Sequence, residues 1–152
     1  MTNGAVPPIE EIRENFEFLD DWESRFAYLI DLGKQIPPMP DEDRTEANLV
    51  RGCQAQVWLT AALDKHETPP LLRLGAVSDA HIVNGLIAIM LSLYNNKAPR
   101  DALSVDAEAV LAELGLDSHL SPTRRNGLHA MLERVRTLAS AYSHASAAEK
   151  SS

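Results

Sequence analysis

The chain is predicted to fold as an α+β protein, a small antiparallel sheet with helices packed on it. Three observations predict this. Apolar residues recur at helical spacing over residues 9–32, 82–91 and 128–138. Two β-type runs, residues 54–63 and 71–77, follow each other with only a polar, proline-containing loop between them. The 152 residues, 45% hydrophobic and 24% charged, suit a single globular domain. A domain of that size buries about 70% of the surface its unfolded chain exposes, so it needs no disulfide or metal staple.

Residues 1–6 read as frayed. Pro7 and Pro8 can open a first helix, with Glu10 and Glu11 complementing the positive end of its dipole. Ile9, Ile12, Phe16 and Leu19 supply its apolar face. Asp20 or Asp21 can cap a second helix running to about Leu32, with Trp22, Phe26, Leu29 and Ile30 facing inward. Gly33 suits a left-handed position after that helix, and Pro37, Pro38 and Pro40 forbid its continuation. Residues 41–48 are polar and predict a short turn or helix. The two strands follow, and residues 49–51 are expected to add a short third one. Ser78 and Asp79 can cap a long helix to about Asn95, striped by Ile82, Val83, Leu86, Ile87, Met90 and Leu91. Pro99 starts a short helix, residues 106–114 form another ended by Gly115, and Ser121-Pro122 opens the last. Leu128, Met131, Leu132, Val135 and Leu138 form the inner face of that last helix. The domain is placed at residues 1–142, and the small, polar tail at 143–152 is expected to be disordered.

Charge narrows the function. There are 22 acids against 14 bases, a formal net charge of −8. That argues against general nucleic-acid binding and against docking on anionic lipid, both of which need a basic face. Residues 57–63 and 86–91 are far too short to span a membrane. Met1 to Ile9 has no basic region followed by an apolar one, which predicts no secretory signal. With one unpaired thiol the reading is a cytoplasmic protein.

Cys53 is the only cysteine, so it can neither close an internal disulfide nor assemble a multi-thiolate metal site. It can act alone, as a nucleophile or as a carrier of a covalently bound group. The alternative is a buried cysteine serving as a small hydrophobe. Its neighbours favour chemistry. Gly52 permits a turn just before it, and Gln54 and Gln56 place polar groups at period two beside it. Arg51 is a nearby positive charge, and a free thiol with a pKa of about 8.5 needs such help or a partner to ionise. A hydrolase would want a histidine base, and His81 or His119 is free to approach Cys53 in space, although neither is paired with it locally. Metal motifs of the HExxH or CxxC kind do not occur, and no GxGxxG phosphate loop is present. The acidic run Asp41, Glu42, Asp43 reads as a solvated loop. Asp79 reads first as a helix cap. Arg124 sits in a helix's first turn, where the dipole disfavours a cation, so pairing with Asp79 or contact with a partner is its candidate purpose.

Five segments, in order along the chain, carry a family resemblance. Gly52-Cys53-Gln54-Ala55-Gln56-Val57-Trp58 closely resembles the GCQSQVW motif of the SufE-type sulfur acceptors, also called cysteine desulfuration proteins. Asp21-Trp22-Glu23-Ser24-Arg25-Phe26-Ala27-Tyr28-Leu29-Ile30 with Leu32-Gly33-Lys34 is similar to the family's DWExRYxYLIxLGK stretch. Asp43-Arg44 with Asn48 resembles the loop before the cysteine. Ser78-Asp79-Ala80 with Ile82-Val83 and Gly85-Leu86 resembles SDAxIVxGL, and His119-Leu120-Ser121-Pro122-Thr123-Arg124 with Asn126-Gly127-Leu128 resembles HLSPSRxNGL. Two positions depart from the pattern: Ala55 stands where serine is common, and Ala98 replaces a usual threonine.

The resemblance implies a SufE/NifU-like α+β fold, shared with the IscU-type scaffolds. It implies that Cys53 takes sulfane sulfur as a persulfide from a PLP-dependent cysteine desulfurase of the SufS/CsdA type. The sulfur then passes to an iron–sulfur scaffold complex. The chain would stimulate the desulfurase as a sulfurtransferase-like carrier and would not turn over alone. PLP would belong to the partner, leaving this chain with no cofactor or metal of its own. Gly52, Gln54, Gln56 and Asp79 would support the loop, and Arg124 and Arg51 would meet the partner.

Overall fold

A computed structural model of the chain describes residues 6–151, with side chains through His144. Of the start expected to fray, only Val6 lies within them. Seven helices and one hairpin follow in order: α1 (Ile9–Phe18), α2 (Trp22–Gly33), two single 3-10 turns (Asp41–Asp43 and Glu46–Asn48), β1 (Val57–Asp64), β2 (Leu71–Ser78), α3 (His81–Tyr94), α4 (Pro99–Leu103), α5 (Ala107–Leu114), α6 (Leu116–His119) and α7 (Pro122–Ser151).

α1 begins after Pro8 with Glu10 and Glu11 in its first turn, and it buries Ile12 and Phe16. Asp21 caps α2 by accepting from the Ser24 N–H at 3.0 Å. Between the two helices the Arg25 side chain donates Nε–H to the carbonyls of Phe16 and Leu19, at 3.0 and 2.9 Å. Those carbonyls belong to a helix end that has no intrahelical donor for them.

α3 is the centre of the molecule. Its residues from Val83 to Tyr94 are buried apart from Asn84 and Ser92, as expected of a helix that neighbours cover on most sides. α2 crosses it at close range, and two glycines make that approach possible. A Cβ at Gly33 would lie 2.8 Å from Asn84 Cβ, and one at Gly85 would overlap the Leu29 backbone. Gly33 therefore serves close packing and is not the left-handed terminator that the sequence suggested. It closes α2 in helical conformation, with Lys34 as cap. Among the described residues the left-handed glycines are Gly52 and Gly115 (φ 92° and 76°), and Gly115 ends α5 as expected.

The hairpin pairs Val57 with Ser78 through Asp64 with Leu71 in one antiparallel register. Val57 and Leu59 on β1, and Leu72, Leu74, Ala76 and Ser78 on β2, are buried. Two expectations need correction here. β1 starts at Val57 and not at residue 54, because residues 54–56 belong to a loop that departs from the sheet. The third strand at 49–51 reduces to a single bridge between Leu49 and Trp58. After α3, α4 packs on α7, α5 and α6 lie against each other, and α7 closes the core with Leu128, Met131, Leu132, Val135 and Ala139. α6 was not anticipated. The backbone of α7 continues to Ser151, past the end at Tyr142, because an alanine-rich stretch propagates a helix readily. Side chains of the segment 143–152 are described only to His144.

The glycine crossing gives a stability prediction. Gly85→Ala should destabilise the fold by about 2–3 kcal/mol in urea unfolding, the scale of forced overpacking. An unchanged midpoint would mean that α2 and α3 separate without cost.

Candidate functional site

The segment 51–56 is a loop fastened at its base. Val50 N–H donates to the Val57 carbonyl at 2.8 Å, next to the Leu49–Trp58 bridge. The Arg44 guanidinium lies 5.6 Å from the centre of the Trp58 ring, which adds a cation–π contact to the same base. Gly52 turns the chain with φ 92°, a conformation that side chains with a Cβ resist. The loop then descends onto the first turns of α7.

Cys53 sits half-buried in that loop. Its thiol donates to the Gly127 carbonyl, with Sγ 3.4 Å from the oxygen. Gly127 packs directly under the loop: a Cβ there would stand 3.5 Å from Sγ and 3.6 Å from the Cys53 Cα, in ordinary contact. The sulfur borders a cavity of about 270 Å³. Val57, Val83, Leu86, Leu128 and Met131 make its apolar wall, while Ser121, Thr123 and Arg124 bring polar groups to it. Burial pushes the Cys53 thiol above its ordinary pKa. The closed loop therefore holds a protonated, weakly nucleophilic sulfur.

A second tie holds the loop. The carboxylate Oδ1 of Asp79 accepts from the Gln56 N–H at 3.2 Å, and the Asp79 N–H donates to the Gln56 carbonyl at 3.3 Å. Asp79 is thus not the cap of α3. That place falls to Ala80, which offers no side-chain hydrogen bond, and Ser78 Oγ accepts from the Ala80 N–H at 3.1 Å. The carboxylate is committed to the Cys53 loop instead.

The remaining candidates separate. Gln54 is exposed and lines the cavity, whereas Gln56 acts through its main chain. Arg124 is exposed at the cavity, and among the described residues its guanidinium has no ion pair, with Asp79 or any other acid. Its backbone N–H is bound to Ser121 Oγ at 3.2 Å. Arg51 points elsewhere, 3.3 Å from the Glu46 carboxylate with both side chains exposed, and does not line the cavity. Neither histidine that was free to approach Cys53 lines the cavity. His81 is exposed at the start of α3. His119 stacks on Trp22, ring centres 3.8 Å apart, in a separate pocket with Arg13 and Arg25. Among the described residues no group of three or more His, Cys, Asp or Glu is arranged to hold a metal ion. Gly127 and Met131 were missed as cavity residues. A glycine inside a helical pattern, at Asn126-Gly127, was the signal that a neighbour approaches closely there.

Residues 10–139 match SufE, described as an Fe-S metabolism associated domain. The chain belongs to the SufE family. Similar relatives include an uncharacterised SufE-like protein of Rhizobium meliloti, 42% identical over 129 residues, which are 85% of this chain and 92% of the relative. Another is an uncharacterised SufE-like protein of Rhizobium etli, 41% identical over 128 residues, 84% of this chain and 86% of the relative. The SufE assignment agrees with the mixed α+β architecture and ties the chain to iron–sulfur metabolism. Among the described residues no helix is long and apolar enough to cross a membrane.

The electrostatics of the site predict a pH profile. Because burial raises the thiol pKa in the folded state, the protonated form is the one the fold favours, and that preference is lost as pH rises through the raised value. Alkylation of Cys53 by iodoacetamide should have a higher pH midpoint in the folded chain than in urea. A folded midpoint at or below the unfolded one would show that the site stabilises the thiolate.

Proposed function

We propose that this SufE-family protein is a persulfide carrier. It accepts sulfane sulfur on Cys53 from a PLP-dependent cysteine desulfurase in the cytoplasm and delivers it for iron–sulfur cluster assembly. The observation that carries the reading is the placement of Cys53: a lone thiol on a loop with few ties, closed over a cavity with room beyond the sulfur.

The chemistry is thiol exchange and needs no base of this chain. When the loop lifts from α7, the thiol leaves the Gly127 carbonyl, gains water and ionises. The Cys53 thiolate attacks the outer sulfur of the partner's cysteine persulfide. The partner's S–S bond breaks, its inner sulfur departs as a thiolate, and Cys53 keeps the outer sulfur as S–SH. A thiolate of the recipient repeats the attack, and Cys53 leaves as a thiolate, ready for a further cycle. On closure, the apolar wall of Val57, Val83, Leu86, Leu128 and Met131 would exclude small thiols from the loaded sulfur. PLP belongs to the desulfurase, where it frees the sulfur from cysteine.

Arg124 is the cation this account assigns to docking, since it stands exposed beside the cavity without an ion pair among the described residues. Arg51, paired with Glu46 on the other side of the loop, contributes less. The Cys–His hydrolase reading loses its geometric basis, because the cavity beside the sulfur holds no histidine among the described residues.

Rates of alanine formation by the desulfurase test the proposal. Cys53→Ser should remove the stimulation of turnover at every concentration, since the acceptor atom is gone. Arg124→Glu should keep the maximal stimulation but need about tenfold more protein, as expected when a rim charge is reversed. Full stimulation by Cys53→Ser would replace the carrier with a regulator that acts by binding alone.

A further inference from the structure

Asn84 lies in the first turns of α3, away from the Cys53 cavity, and belongs to no motif residue of the site. Its side-chain amide is bound at both ends to one residue. Oδ1 accepts from the Ser78 N–H at 2.8 Å, and Nδ2 donates to the Ser78 carbonyl at 3.0 Å. Ser78 is the buried last residue of β2, a strand that has β1 on one side only. Asn84 therefore stands where a third strand would, and supplies the backbone pair that Ser78 otherwise lacks. Only an amide side chain carries the donor and the acceptor together in that geometry.

The consequence falls on the next residue. Asp79 follows Ser78 and precedes Ala80, whose N–H is held by Ser78 Oγ at 3.1 Å. With the backbone fixed on both sides, the Asp79 carboxylate reaches the Gln56 N–H. A competing use for that carboxylate lies close by. α3 starts with no side-chain cap, so its first N–H groups are open to an acceptor. Aspartate is a favoured acceptor at helix starts, and Asp79 stands one residue before the Ala80 cap position. An unrestrained Asp79 would divide itself between capping α3 and holding the Cys53 loop.

We infer that Asn84 is the positioning residue of loop closure: by pairing with Ser78 it keeps Asp79 on Gln56 and away from the α3 terminus. The chain Asn84, Ser78, Asp79, Gln56 then links the core helix to the Cys53 loop. The purpose of closure rests on the carrier reading, but closure itself is a property of this chain alone.

The test uses the full chain without a desulfurase, and reads Cys53 alkylation by iodoacetamide together with amide hydrogen exchange. Asn84→Leu removes both hydrogen-bonding groups at similar volume. It should raise the alkylation rate about fivefold, the factor that one net hydrogen bond is worth. Asp79→Ala should give the same rise, and the double variant should exceed neither single one. Exchange at the Gln56 amide should quicken in each variant, while the Thr60 and Gly75 amides, paired across the hairpin, keep their protection. Asn84→Asp, which keeps the acceptor for Ser78 N–H and loses the donor, should give a smaller rise and serves as the test if Asn84→Leu does not fold. The inference is overturned if the Asn84 variants leave alkylation unchanged. It is equally overturned if their effect multiplies with that of Asp79→Ala, or if hairpin protection falls along with Gln56. Should desulfurase assays show no sulfur on Cys53, the carrier reading fails while these rates still decide the role of Asn84.

Discussion

The contact between α2 and α3 is the constraint on which the rest depends. Gly33 and Gly85 allow the two backbones to meet without intervening side chains, and the buried length of α3 is sealed by that approach. A helix so placed fixes its own first turn. That turn in turn fixes the end of β2 through Asn84 and Ser78, and the end of β2 carries the carboxylate that reaches the Cys53 loop. Packing in the core thus becomes a statement about the accessibility of one sulfur atom. The loop itself has little to hold it. Its base is fastened at Val50 and Val57, and its tip is tied by a weak thiol hydrogen bond and by the Asp79–Gln56 pair. Such a segment opens at far lower cost than the domain unfolds.

The chemistry proposed for the site follows from that balance. A persulfide carrier has two opposed needs: a thiolate that meets its donor, and a loaded sulfur that avoids adventitious thiols. Burial answers the second need and works against the first, since it raises the thiol pKa. In the proposed carrier a loop that moves would resolve the conflict, the closed state protecting the sulfur and the open state reacting. Substituting alanine for the family's common serine at position 55 is compatible with this division. Ala55 lines the cavity and packs against the core, and the polar groups there come from Ser121, Thr123 and Arg124 of the segment leading into α7.

Much of this was legible in the sequence. Periodicity, prolines and caps placed the helices from α1 to α5 and α7, the antiparallel hairpin followed from two adjacent β-type runs, and Asp21 and Gly115 marked helix ends by their residue chemistry. Cys53 stood out as a lone thiol with a glycine before it. What failed, failed for tertiary reasons. Asp79 has the chemistry of a cap, and only the folded arrangement shows that Gln56 claims it first. Gly33 has the chemistry of a terminator, and only the neighbouring helix shows that space was the requirement. The residues 54–56 alternate like a strand, yet the bond from Val50 to Val57 closes a loop ahead of it. Asn84 was invisible because its partner, six residues back, is reached only after the chain has turned from strand to helix.

The measurement that bears most directly on the central claim is the intact mass of this chain after incubation with a cysteine desulfurase and free cysteine. A persulfide on Cys53 predicts a gain of one or more sulfur atoms on the wild-type chain, removed by a reductant and missing in Cys53→Ser. An unchanged mass, with a desulfurase shown to bind the chain and to turn over, would contradict it and leave Cys53 without a carrier role.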